Sequence, residues 1–275
     1  MAAIENVTGT AFVVAEFRAE EAAEAKPLYE DKIVPVFLNE DTKRAAARIA
    51  ETIPAVKKMV RIRTRYLDDR LDAQLRDGCK QVVILGAGLD TRAIRKQAPD
   101  VVYFEIDDET TLSFKKATLA ENRLTADVSF IYGNYVTDDF IRLLISNGFD
   151  GSRPAHFIWE GNTMYLTADS IRQVMADIVR HVPQFTLSFD YFKEDVINEA
   201  TGDAAATLIT ERFAAMGAPW RTGIGDIQRL ADEAAMRLVD NVATAELHRA
   251  YWPGKALETA IFDYYFLCTL QSPAR

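Results

Sequence analysis

At 275 residues the chain holds one large domain or one domain carrying an insertion, since a typical domain runs to about 100–200 residues. Its 49% hydrophobic and 27% charged residues exclude a disordered, collagen-like or low-complexity chain. Lys and Arg number 32 against 41 Asp and Glu, a net charge of −9 that opposes contact with nucleic-acid phosphates or anionic lipid and favours a small-molecule partner.

The N-terminus, MAAIENVTGTAFVVAEFRAEEAAEAK, has no basic start followed by a long apolar run. No window approaches the roughly 18 apolar residues of a membrane span, so a cytoplasmic protein without a membrane partner is expected. Residues 10–26 carry Phe12, Val13, Val14 and Phe17 in a helical pattern, before a loop and helix over Pro27 to Leu38. Residues 43–77 predict one or two helices broken near Pro54 and stopped by Gly78. The segment 1–78 is thus a helical N-terminal region.

The texture then changes. Short apolar runs at 81–85, 101–106, 128–132, 156–160 and 185–192 alternate with helical segments, the pattern of a parallel sheet with right-handed crossovers. Residues 79–192 form this core. From 193 to 235 the strand pattern lapses, and Val196, Ala200, Ala204, Leu208, Phe213 and Met216 recur at roughly helical spacing. That stretch exceeds an ordinary connection and predicts a helical insertion or lid. Strand-like MRLVDNVA (236–243) and AIFDYYFLCTL (260–270) follow. One domain over 1–275 is expected, an α/β fold whose seven-stranded, mostly parallel sheet ends in a hairpin-like edge pair. Cys79 and Cys268 are the only cysteines, and His156, His181 and His248 fall in no CxxC or HExxH spacing. Neither a disulfide framework nor a zinc site is expected.

The stretch QVVILGAGLDTRAIR carries the chemistry. A buried strand runs into Gly86, Ala87 and Gly88, with a helix beginning near Asp90 or Thr91, so backbone amides can approach a ligand at the turn. Thr91 stands where the dinucleotide fingerprint has its third glycine, which favours a ligand lacking a pyrophosphate. The next strand ends in Glu105 and Asp107, about 20 residues on, where an acid accepts hydrogen bonds from ribose hydroxyls. An adenosine ligand is the economical reading. The glycine turn and acid alone also fit a nicotinamide-dependent oxidoreductase, and Asn134 leaves open a protein that binds the cofactor without catalysis.

ILGAGLDTRAIR, YFEID, FIWEGNTMYLT and GAPWRTGI, with TAFVVAEFRAEE and RTRYLDD upstream, together resemble the leucine carboxyl methyltransferase family, a branch of the class I S-adenosylmethionine-dependent methyltransferases. The resemblance implies a Rossmann-like sheet, S-adenosyl-L-methionine as cofactor and O-methylation of a small acceptor. It places Gly86, Ala87 and Gly88 beside the cofactor's methionine part, Asp107 on its ribose, Glu160 at its amino end and Arg63 on its carboxylate. Arg65 is the register alternative to Arg63. Asp90 is expected to cap the following helix, and Arg18 to lie on the surface, with an inward position as its alternative. Where many members have Asp-Leu after the third strand, this chain has Asn134 and Tyr135; the Asn oxygen can accept from the adenine amino group, and Tyr135 can cover the ring. Asn162 and Tyr165 lead into the acceptor pocket, with Tyr165 the catalytic candidate that orients an acceptor oxygen. No His falls in these blocks, which favours a carboxylate or an acidic phenol, acceptors that need little help from a base.

Overall fold

The computed structural model describes residues 7–273; residues 1–6 and 274–275, the ends of the expected 1–275 domain, lie outside the described residues. The run Gln81–Leu85 forms strand β1 and is buried along its whole length, as a parallel strand covered on both faces must be. Its side chains alternate between faces: Val83 and Leu85 join one hydrophobic cluster, Val82 and Ile84 another. Strands β2 (Val102–Asp107), β3 (Val128–Tyr132), β4 (Ala155–Trp159), β5 (Phe185–Phe192), β6 (Arg237–Ala243) and β7 (Tyr265–Gln271) complete a seven-stranded sheet of order β3-β2-β1-β4-β5-β7-β6. The strands β1 to β5 pair in parallel, while β7 runs antiparallel between β5 and β6. The expected α/β fold with a seven-stranded, mostly parallel sheet is what forms.

Among the described residues three α-helices precede the sheet, α1 (Val7–Ala22), α2 (Glu40–Thr52) and α3 (Pro54–Arg76), with a 3-10 turn at Val34–Phe37 between the first two. Asn39 and Thr42 form a reciprocal capping box at the start of α2, and Pro54 opens α3, where its missing N–H is not needed. That is the physical basis of the break predicted near Pro54. The short α4 (Arg92–Arg95) follows β1, and α5 (Glu109–Glu121), α6 (Phe140–Ser146) and α7 (Ala168–His181) are the next crossovers. α7 turns Ile171, Val174, Met175 and Ile178 inward, one stripe at helical spacing. After β5 come α8 (Glu194–Ile197), α9 (Ala204–Ala215) and α10 (Ile227–Glu233), and α11 (Thr244–Tyr251) follows β6.

Three expectations are corrected. The first helix ends at Ala22 rather than 26. Residues Ala260–Asp263 form a 3-10 turn capped by Thr259, so the last strand begins only at Tyr265. Residues 244–264 separate β6 from β7, so the pair is antiparallel without being a tight hairpin, and β7 lies inside the sheet with β6 at its edge.

Asp68 locks α3 to α4. Its carboxylate accepts from Arg92 Nε at 2.8 Å and from Arg95 Nη2 at 2.7 Å, and all three side chains are buried. Asp68→Ala leaves two buried cations short of a partner and should lower unfolding stability by about 3–5 kcal/mol, measured by urea denaturation. A loss below about 1 kcal/mol would mean that water reaches the pair. On β4, fully buried His156 holds Nδ1 2.7 Å from Thr186 Oγ1. Burial first, and then Arg92, pushes its pKa down to about 3. The folded state therefore keeps His156 neutral while the unfolded chain takes up a proton below about 6.5. Its contribution is intact above pH 6.5 and should fall by about 1.4 kcal/mol per pH unit as pH drops toward 3. Comparison with His156→Gln checks this: the difference between the two proteins should depend on pH over that window, and a constant difference would refute it.

Candidate functional site

The turn after β1 is shaped by close approaches. Gly86 and Gly88 adopt φ of +64° and +48°, left-handed values that side chains disfavour. A Cβ on Gly86 would lie 2.7 Å from the Asn162 side-chain amide. Gly86 and Ala87 donate their N–H groups to the Ile106 carbonyl at 2.9 and 3.2 Å, and Gly88 donates to Asp107 Oδ2 at 2.6 Å. Asp107 Oδ1 accepts from the Asp108 N–H at 2.7 Å. The acid at the end of β2 therefore holds the glycine turn as well as facing the cleft. Burial pushes the Asp107 carboxyl up, opposed by the two N–H groups.

This turn borders a cleft of about 220 Å³ lined by Gly86, Ala87, Gly88, Asp107 and Glu160 together with Arg63 and Arg18. It sits at the carboxyl ends of β1, β2 and β4, where the strand order reverses, the position at which open α/β sheets bind ligands. Arg63 reaches it from α3 and is 8% exposed. Its Nε donates to Glu160 Oε1 at 2.9 Å and its Nη1 to the Tyr265 hydroxyl at 3.1 Å, with Asp190 at 3.5 Å. Gly161 makes room: at φ +69° its Cβ position would lie 3.0 Å from both terminal guanidinium nitrogens. Arg65 points the other way, pairing with Asp69 at the surface. Of the two register alternatives, Arg63 is the one that lines the cleft.

Glu160, just past β4, also accepts from Arg92 Nη1 at 2.7 Å. Burial alone would raise its carboxyl, but Arg92 and Arg63 outweigh it and hold it below the ordinary value. Asp90 accepts from the Arg92 N–H at 2.6 Å and pairs with the same guanidinium. Thr91 occupies the cap position of this four-residue helix and makes no side-chain cap bond; Asp90, one residue earlier, satisfies the first helical N–H, as expected of a cap, and is a buried counter-ion as well.

Arg18 overturns its expected surface position. It is 5% exposed, pairs with Asp31, and donates to the Leu89 carbonyl at 3.0 Å and to Thr91 Oγ1 at 2.6 Å. Its Nε is buried with no hydrogen-bond partner, and the side chain lines the cleft. The signal was present in TAFVVAEFR: Thr10, Val14 and Arg18 recur every four residues, one helix face, and all three line the cleft.

Two recesses adjoin the cleft. The larger, about 410 Å³, shares Asp107, Asp108 and Asn162 with it and is lined by Asn134 and Tyr135. The Asn134 side-chain oxygen already accepts from the Val136 N–H at 2.9 Å, and the Tyr135 ring meets Trp159 edge-on at 6.0 Å. The smaller, about 70 Å³, shares Thr10, Val14, Arg63 and Gly161 with the cleft. Tyr165 borders both recesses, and burial pushes its hydroxyl up to about 12, although the neighbouring Trp220 and Thr10 act in the other direction. Phe213 of α9 and Trp220 of the loop that follows it line the smaller recess.

Glu105 lies apart. It is fully buried and paired with Lys115, and burial, outweighing Lys115, raises it to about 7. Of the two acids in β2 only Asp107 lines the cleft. None of the three histidines lines the cleft or either recess.

The leucine carboxyl methyltransferase family matches residues 11–179. A Frankia alni protein named as an S-adenosyl-L-methionine-dependent methyltransferase is 30% identical over 212 residues, covering 73% of this chain and 74% of that protein. A Mycobacteroides abscessus protein named for the same activity is 32% identical over 218 residues, 72% of this chain and 69% of that protein. Among solved structures, one named as a methyltransferase from Thermobifida fusca superposes with a TM-score of 0.66 at 16% identity, covering 98% of this chain and 96% of that one. At that identity it speaks for the fold alone. With these relatives the nicotinamide reading falls away, as the threonine at position 91 had indicated. The chain belongs to the leucine carboxyl methyltransferase family and is an S-adenosyl-L-methionine-dependent methyltransferase.

Proposed function

We propose that the enzyme methylates an oxygen of a small-molecule acceptor, a carboxylate or an acidic hydroxyl. The observation that carries this reading is the absence of a free base where the cleft meets the smaller recess. Among the described residues there, Glu160 and Asp190 are tied to arginines, Tyr165 is protonated at neutral pH, and no histidine is present. An acceptor that arrives ionised needs no such base. The carboxyl chemistry in the family's name supports the same reading.

The cleft fits S-adenosyl-L-methionine. The glycine turn lines the cleft with backbone, its Gly86 admitting the Asn162 amide where a Cβ would stand, and the buried Arg18 Nε is a donor in want of an acceptor. In this assignment Gly86, Ala87 and Gly88 border the methionine part, Asp107 accepts from the ribose, and Asn134 and Tyr135 border the adenine. Arg63 and Arg18 hold the carboxylate and Glu160 accepts from the ammonium. When bound, the cofactor supplies a methyl on a sulfonium, and transfer forms the O–C bond as the S–C bond breaks, its electron pair staying on sulfur. The protein's share is to place the acceptor oxygen in line and to exclude water, the former through Tyr165 and the latter through the apolar recess.

Calorimetry with S-adenosyl-L-methionine, S-adenosylhomocysteine and NAD tests the cofactor assignment, and turnover on a panel of carboxylic acids and phenols tests the acceptor. Arg63→Lys keeps the charge but loses the fork; cofactor affinity should fall while the circular dichroism spectrum is unchanged, and Arg65→Lys should bind as the parent does. The reverse pattern would move the site by two residues. Asp107→Ala removes the ribose acceptor and the tie to Gly88, and should weaken cofactor binding by about 1–3 kcal/mol; unchanged affinity would refute the ribose role. His156→Gln, His181→Gln and His248→Gln should each keep turnover within a few-fold, against the roughly 10²–10⁴-fold loss expected on removing a general base. With a carboxylate acceptor the rate should be flat from pH 7 to 9, because Tyr165 does not ionise there. A rise across that window would indicate an acceptor or a side chain losing its proton.

A further inference from the structure

The smaller recess has a chemical character of its own. Its walls are apolar, built from Val13 and Val14 of α1, Met59 and Val60 of α3, and Phe213 and Trp220 of the insertion. Phe192 stacks at 4.3 Å on both Trp220 and Tyr265, which holds the indole in place. Among the described residues Arg63 is the one charged side chain on the lining, and it is shared with Glu160 and Asp190. Against this apolar background Trp220 Nε1 is buried and makes no hydrogen bond. A buried N–H without an acceptor is unfavourable unless a ligand supplies one. Tyr165 and Trp220 both line the recess, so two neutral donors, one from the turn after β4 and one from the insertion, face the same space.

We infer that Trp220 and Tyr165 form a two-donor clamp for the anionic oxygen atoms of the acceptor, and that the recess selects a monoanion with a compact, uncharged hydrocarbon tail. This rests on the methyl-transfer reading above and narrows it to a substrate class. The recess of about 70 Å³ is less than half of a 150 Å³ cavity that holds benzene. Short aliphatic tails therefore enter, and fused rings do not. A second carboxylate on the tail would be stranded among Val, Met and Phe side chains, since burying an unpaired charge is strongly unfavourable. Phe213 and Trp220 both come from the 193–235 insertion, so that segment sets acceptor specificity while the glycine turn sets cofactor specificity.

The test uses the full chain saturated with S-adenosylhomocysteine, so that binding is read without turnover. Butanoate, 3-methylbutanoate, 1-naphthoate and succinate are titrated while tryptophan emission is followed, with Trp220→Phe defining the signal from Trp159 and Trp252. Butanoate and 3-methylbutanoate should give a saturable change that is absent in Trp220→Phe, and naphthoate and succinate should give none. By calorimetry, Trp220→Phe and Tyr165→Phe should each weaken 3-methylbutanoate about ten-fold or more, the scale for a hydrogen bond to a charged group. Phe213→Ala should admit naphthoate. Equal affinity of the parent, Trp220→Phe and Tyr165→Phe would overturn the clamp, as would tight succinate binding by the parent. If Trp220→Phe does not fold, Tyr165→Phe alone decides, because it deletes one donor and leaves the ring in place. Absence of any monocarboxylate binding while S-adenosylhomocysteine binds overturns this inference and leaves the methyltransferase standing; failure of S-adenosylhomocysteine to bind strikes the cofactor-site assignment instead.

Discussion

Three of the buried guanidinium groups govern this structure. Arg18, Arg63 and Arg92 are 5%, 8% and 1% exposed, and a cation removed from water is tolerated only when anions and acceptors surround it. Their partners come from far apart in the chain: Asp31 from the loop after α1, Asp68 from α3, Asp90 from the turn after β1, Glu160 from the end of β4 and Asp190 from β5. All of these elements must be in register before the three arginines are satisfied together. Such pairs add little net stability over a well-packed apolar core, but breaking one strands a charge. The network thus ties the geometry of the cleft to the completion of the fold.

The same network explains why the N-terminal helices belong to the site. Arg18 on α1 and Arg63 on α3 meet the carboxyl ends of β1 and β4 through Thr91 and Glu160. The Rossmann-like sheet supplies the glycine turn and Asp107, while the helices supply the cations that an anionic ligand group needs. On the other side the insertion after β5 contributes Phe213 and Trp220 to an apolar recess. Charge is concentrated in the cleft, and among the described residues only Arg63 carries it to the lining of the recess, a separation in keeping with the transfer proposed above.

How much of this was legible in the sequence differs from residue to residue. The run QVVIL reads as a fully buried strand because both of its faces are apolar, and the turn after it reads as a ligand turn because Gly86 and Gly88 leave φ unrestricted. Asp107 follows from its place at the end of the next strand. Arg63 was reached by resemblance, since Arg61, Arg63 and Arg65 look alike in a charged helix. Arg18 was missed because an arginine among Glu and Ala at a chain end has every local mark of a solvated residue, and its four-residue spacing from Val14 was a weak cue. The start of β7 was placed too early because AIFD has strand-favouring residues, while Thr259 caps a 3-10 turn there instead.

By itself the sequence determined the local and periodic features: strands and helices from hydrophobic spacing, the break at Pro54, the glycine turn and the acid that follows it. These depend on neighbours within a few residues, and the chain states them directly. Tertiary structure decided which charges are buried, which of three similar arginines faces the cleft, and that Asp107 braces Gly88 as well as lining the cleft. It also decided that β7 inserts between β5 and β6, and that Trp220 stands beside Tyr165 with an unanswered N–H. Each of those depends on groups brought together across tens to hundreds of residues, where pairing energy and desolvation are set by position in space, and no pattern local to the sequence encodes that distance.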